Sequence, residues 1–198
     1  DSLYLGMTKS IQARVYDQTY NNKEELNCLR EAYRIYERID DSYKMQSVTL
    51  RMAMCYSSIR DYEEAEKYYL TLLDFSDIDS LIESYALSGY AFMKVIRYDF
   101  HTALNIYESL INRDSNAMTD QDYWAYSYAL CASGRQKDAD ELIRKLDKET
   151  SDALYWQYRI YKKRGNIDKA LDFLEKSNLS DNEIIRESLS QSLALAQR

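Results

Sequence analysis

Residues 49–72 read TLRMAMCYSSIRDYEEAEKYYLTL. Ala65, Tyr69 and Leu72 stand four and three residues apart, which sets one small and two large groups on a single helical face. Upstream, Met52, Ala53 and Tyr56 mark a second helical segment. Between the two lies Arg60-Asp61-Tyr62, with Asp61 three residues ahead of Glu64, a cap former before an acid. The stretch reads helix, short turn, helix. An alanine belongs where two helices cross closely, and Tyr69 a turn later fills the gap beside it. Glu66, next to that alanine, reads as an exposed position.

The same arrangement returns along the chain. Ala32, Ala65, Ala103, Ala139 and Ala170 are separated by 33, 38, 36 and 31 residues, a period that signals a repeat architecture. Four residues after each comes Tyr36, Tyr69, Tyr107, Ile143 or Leu174. Seven after come Ile39, Leu72, Leu110 and Leu146, then Ser177, where the pattern lapses. Gly134 and Gly165 precede the fourth and fifth alanines and suit a left-handed helix end. Cap signals Asn22…Glu25, Asp61…Glu64, Ser76…Asp79, Thr119…Asp122 and Ser180…Glu183 add helix starts. The patterns predict helices over 2–20, 23–39, 43–59, 62–74, 78–96, 99–112, 120–132, 135–147, 151–164, 167–176 and 181–198. No linker or low-complexity stretch divides them, so a single domain over 1–198 is expected.

Units of this kind resemble the tetratricopeptide repeat (TPR). In the quoted stretch Met52-Ala53, Tyr56, Asp61-Tyr62-Glu63-Glu64-Ala65, Tyr69 and Leu72 fall where that family places its signature residues. The fifth unit matches in Tyr158, Tyr161, Gly165-Asn166-Ile167-Asp168-Lys169-Ala170 and Leu174. The family's closing proline is missing throughout, and Gly6 has no place in the pattern. The resemblance implies an all-α fold, a right-handed α-α superhelix of about five helix pairs plus a C-terminal helix. It also implies a concave groove, lined by first helices, that holds a peptide or a partner segment. Carried over unit by unit, the groove positions are Tyr90, Lys94, Trp124, Tyr128, Tyr155, Arg159 and Lys163. Aromatics give contact area at low entropic cost, and cations beside them suit an acidic peptide or a terminal carboxylate. Chaperone-tail-binding members carry a Lys and Asn clamp; the matching places here hold Ser10, Arg14, Leu50 and Met54, which does not support that role.

Composition bounds the remaining possibilities. The 198 residues are 45% hydrophobic and 30% charged, enough for a packed core, with no proline and four glycines. That excludes collagen-like and proline-linker architectures. A formal charge of −7 gives no broad footprint for nucleic acid. No uncharged apolar run reaches the roughly 18 residues of a membrane span, so no direct membrane contact is expected from this region. Cys28, Cys55 and Cys131 lie far apart within helical patterns and read as small buried groups, although a Cys28–Cys55 bridge is conceivable. Clustered metal ligands such as C-x-x-C are missing, so neither metal nor cofactor is expected. His101, the only histidine, falls at a helix start without an obvious partner, and no Ser/His/Asp or Cys/His set can be assigned. A protein–protein interaction scaffold is the leading reading, and an enzyme is not expected.

Ile185, Leu189 and Leu193 recur at four residues to the end of the chain. That apolar face suggests a fragment of a longer polypeptide and, as a second reading, a structural role through self-association of the C-terminal helix. The run SLSQSLALAQR is similar to the start of a longer helix in membrane-anchored bacterial TPR proteins. The resemblance implies an extracytoplasmic placement in a regulatory or sensor protein.

Overall fold

The computed structural model describes the backbone of residues 2–113 and 118–196, and the side chains of residues 2–113 and 118–181. Within them lie ten α-helices and no strand: α1 Ser2–Gln18, α2 Asn22–Arg38, α3 Ser42–Ser58, α4 Tyr62–Leu73, α5 Ser80–Ile96, α6 Phe100–Arg113, α7 Asp120–Ala132, α8 Gln136–Ile143, α9 Ser151–Lys163 and α10 Ile167–Ala196. The chain divides into two compact units, residues 1–97 with 106–117, and residues 98–105 with 118–198.

Several helix starts follow the cap signals. Asp61 accepts from the Glu64 backbone N–H, and Thr119 with Asp122 forms a reciprocal capping box. Elsewhere the cap sits beside the expected residue. Asn21 rather than Asn22 caps α2, and Asp79 itself, rather than Ser76, caps α5. Ser180 starts no helix, because α10 runs unbroken through the break expected at 177–180. That stretch contains neither glycine nor proline, so nothing interrupts the backbone ladder. Conversely α8 stops at Ile143, short of the predicted 147. There the Asp147 carboxylate accepts from the Glu149 N–H at 3.0 Å, and the Gln157 amide donates to the Lys148 carbonyl at 2.9 Å. Such local bonds compete with continuation of a helix.

All five repeat alanines are buried. Four of them occupy the fourth place of α4, α6, α8 and α10, whereas Ala32 is the eleventh residue of α2. The first unit's register is thereby corrected: the fourth place of α2 is Glu25. This carboxylate is buried and receives the Arg51 guanidinium at 3.3 Å, while a second arm of Arg51 donates to the Ser10 carbonyl at 3.0 Å. Burial raises the Glu25 pKa, and the Cys55 thiol beside it is pushed up to about 12 by its own burial and by that carboxylate. All three cysteines are free and buried. Ser177 keeps the place seven after Ala170: it is buried, and its hydroxyl donates to the Ser151 carbonyl at 3.4 Å.

The tight turns share one device. Tyr20, Asp40, Arg60 and Tyr98 have φ of 55–64°, and Gly134 and Gly165 have φ of 83° and 76°. At the next residue the N–H reaches back five positions, as in Asn21 to Tyr16, Asp41 to Tyr36, Asp61 to Tyr56, Arg135 to Leu130 and Asn166 to Tyr161, all at 2.9–3.0 Å. These are the 6→1 bonds of a Schellman motif. A Cβ added at Gly134 would meet nothing within 4 Å, so any penalty for a side chain there is conformational alone. Gly134→Ala is expected to destabilise by about 1–2 kcal/mol, read as a lower urea midpoint with an unchanged m-value.

Gly6 and Gly89 serve a different purpose. A Cβ on Gly6 would lie 2.6 Å from Cε1 of Tyr36, and one on Gly89 would lie 3.1 Å from Cζ of Tyr69. Each glycine lets a helix close onto a buried tyrosine ring. Gly6, unplaced in the sequence pattern, thus seats α1 on α2.

Glu66 corrects a second expectation. It is not an idle surface residue but the acceptor between α4 and α5: Lys94 Nζ lies at 2.7 Å, Tyr90 Oη at 2.8 Å and Arg97 Nη1 at 3.0 Å. The Lys94 hydrogen bond, joined by those from Tyr90 and Arg97, holds the Glu66 carboxyl below its ordinary range against the opposing effect of burial.

Candidate functional site

Within the second unit, aromatic rings gather where α9 meets α7 and the start of α6. Thr150 caps α9 through a bond from the Ala153 N–H. The helix then presents Tyr155, Arg159, Lys162 and Lys163 at intervals of four, three and one, along one side of its last two turns. Trp156 and Ile160 face inward and are buried. The Arg159 guanidinium lies 4.3 Å from the Tyr128 ring centre, 4.8 Å from that of Trp156 and 5.9 Å from that of Tyr98. The rings support one another: Phe100 meets Tyr128 edge-on at 5.7 Å, Tyr128 meets Trp156 at 5.7 Å, and Tyr155 meets Tyr158 at 5.9 Å. Such contacts stiffen a long side chain that would otherwise sample many rotamers.

Charge sets this surface apart. Most cations in the described part of the chain sit beside a carboxylate, as with Lys94–Glu66, Arg113–Glu83 and Arg164–Asp140, each at 2.7 Å. Among the described residues, Arg159, Lys162 and Lys163 have no acidic partner. Lys162 instead lies 3.1 Å from the Tyr158 hydroxyl, whose hydrogen bond raises its pKa. Tyr155 is 44% exposed and Tyr98 66% exposed beside these cations. The result is a positive, aromatic surface on a chain of net charge −7.

The residues nominated from sequence occupy different environments. Tyr155, Arg159 and Lys163 share the α9 surface, with Tyr128 beneath Arg159. Trp124 is 2% exposed, inside the core of the second unit. Tyr90 and Lys94 belong to the first unit, where both are engaged with Glu66. The side chains of Ile185, Leu189 and Leu193 lie outside the described residues. Sequence reasoning did not single out Tyr98, Phe100, Trp156 and Tyr158 as parts of this cluster. The signal for Trp156 and Tyr158 was there in the i, i+3 and i+4 neighbours of Arg159 and Tyr155, whereas Tyr98 and Phe100 lie about sixty residues away and come near only through the fold.

No group of three or more His, Cys, Asp or Glu side chains that could hold a metal occurs among the described residues. Among them also, no helix is long and apolar enough to cross a membrane. His101 is exposed, and its Nε2 lies 3.4 Å from the Asn105 amide nitrogen.

No family model matches the chain, and no curated protein matches its sequence. Solved structures do. One is a crystal structure of kinesin light chain nearly identical TPR-like repeats from Podosopora anserina, with a TM-score of 0.64 and 16% identity, covering 93% of this chain and 98% of that one. Another is MamA AMB-1, with a TM-score of 0.56 and 12% identity, covering 89% and 92%. With helix pairs, alanine crossings and hairpin turns all present, the chain has the TPR-like fold, an all-α helical-repeat solenoid.

Proposed function

We propose that this chain is a protein-interaction scaffold whose α9 surface takes an extended, acidic peptide segment of a partner. Helical-repeat folds of this kind present extended surfaces to other proteins. The observation that carries the reading is the set of three cations, Arg159, Lys162 and Lys163, without an acidic partner among the described residues and interleaved with rings, in an otherwise acidic chain. A carboxylate docking there would find charge-assisted hydrogen bonds, and Tyr155 offers apolar area to the segment that carries it.

The test uses two peptide sets of equal length, one rich in Asp and Glu and one rich in Lys and Arg, titrated against the folded chain. Acidic peptides are expected to bind, with Arg159→Glu weakening them at least about tenfold, or roughly 1.4 kcal/mol, and with affinity falling as salt rises. Equal binding of both sets, or affinities unmoved by Arg159→Glu and Lys163→Glu, would remove this assignment.

A further inference from the structure

The first helix carries an apolar face that no described residue covers. Tyr4, Met7, Ile11 and Val15 lie within one arc of α1, on the side away from the buried Gly6 and Ala13. Each is exposed, Ile11 to 59%. The repeat itself says what such a face is for. Counting back from the left-handed turn residue, Ile11 stands nine places before Tyr20, as Gly89 stands nine before Tyr98. Val15 corresponds in the same way to Met93, and Tyr4 to Ile82. In α5 those three places are filled and covered: Gly89 closes onto the Tyr69 ring of α4, and Met93 and Ile82 are buried. First-helix residues at these places are therefore made to meet the second helix of a preceding unit.

The last described helix pair offers the complementary surface. On α4 the groups that receive α5 are Glu66 and Tyr69, six and nine places after the turn residue Arg60. The same places on α10, counted from Gly165, are Leu171 and Leu174. Leu171 is 58% exposed and Ile167, four residues before it, is also exposed. Where α4 carries a carboxylate matched to Lys94 and Arg97, α10 carries leucine, and α1 presents isoleucine, valine and tyrosine rather than cations. The two faces match each other in apolar character as α4 and α5 match each other in charge. Both are contiguous apolar patches of the sort that mark interaction sites on soluble proteins.

We propose that α1 of one copy docks on α10 of a second copy, continuing the α4–α5 type of contact from one molecule to the next. The contact is heterologous: the α1 face of each chain is used by one neighbour and the α10 face by another. It does not involve Arg159 or Lys163, so it stands or falls apart from the peptide reading.

The test is the mass of the 198-residue chain by light scattering and sedimentation over a wide concentration range. The expected result is a mass that climbs from that of the 23.4 kDa monomer past the dimer as concentration rises. Ile11→Glu and Leu171→Glu, both at exposed positions, are each expected to remain monomeric with unchanged circular dichroism. Mixed together, they are expected to form a one-to-one dimer, because one variant keeps a sound α10 face and the other a sound α1 face. A wild-type chain that stays monomeric throughout overturns the proposal, and in that case the α1 face belongs to some other occupant. So does assembly that survives Leu171→Glu, which would mean that α1 pairs with α1. So does a mixture of the two variants that does not associate.

Discussion

Trp124→Ala is expected to lower the stability of the chain by about 3–5 kcal/mol, the range for removing a large aromatic from a packed interior. Trp124 is among the largest fully buried side chains of the described residues. Its helix, α7, is buried around most of its circumference: Ala125, Tyr126, Ser127, Tyr128, Ala129, Leu130 and Cys131 all lie inside. A cavity here has little room to collapse, since neighbours on every side are held by other contacts. Urea or thermal unfolding reads the effect directly, with exposed Tyr155→Ala as the contrast, expected to shift stability by well under 1 kcal/mol. Weak binding with an unmoved melt in Trp124→Ala would instead make this indole a surface contact.

Glu66→Ala is expected to destabilise by about 2–3 kcal/mol, because it removes the shared acceptor of a hydroxyl, an ammonium and a guanidinium. Lys94 and Tyr90 are mostly buried and would keep their donors without a matching acceptor. The effect carries a pH signature. The Glu66 carboxyl is held below its ordinary value, chiefly by the Lys94 hydrogen bond, so its contribution is present above the unfolded pKa of about 4.3 and lost as pH falls through the folded value. The gap between wild type and Glu66→Ala is therefore widest near neutrality and closes in acid. Glu25 acts in the opposite direction: burial raises its pKa, so its contribution is greatest in acid and declines as pH rises through that raised value. Stability curves against pH for the two proteins check the first statement; a gap that stayed constant down to pH 2 would refute it.

These two residues also show what the sequence could and could not tell. Ala65, Tyr69 and Leu72 were legible because one face of α4 is buried and the other is not, so their period has a phase. Glu66 lies one step off that face and was read as solvated; what binds it comes from α5, 24 to 31 residues later, and no local pattern reports such a partner. In α7 the difficulty is reversed. A helix apolar on every side has no phase, so Trp124, placed by repeat register alone, was assigned to a groove although its surroundings are core. The α9 surface was partly legible, since Tyr155, Arg159 and Lys163 share one helical side, but Tyr98 and Phe100 join them only through the fold. The register of α2 was missed because Ala32 and Tyr36 mimic the Ala65 and Tyr69 pair at the other end of their helix.

The hairpin tips carry one last lesson. Tyrosine, aspartate, arginine and glycine all occupy the same left-handed place, since main-chain groups alone fasten the chain there. An architecture fastened in this way makes almost no demand on the letter at its corners. Over long divergence such corners drift freely while the bend endures, and kinship among chains of this kind is better traced by shape than by spelling.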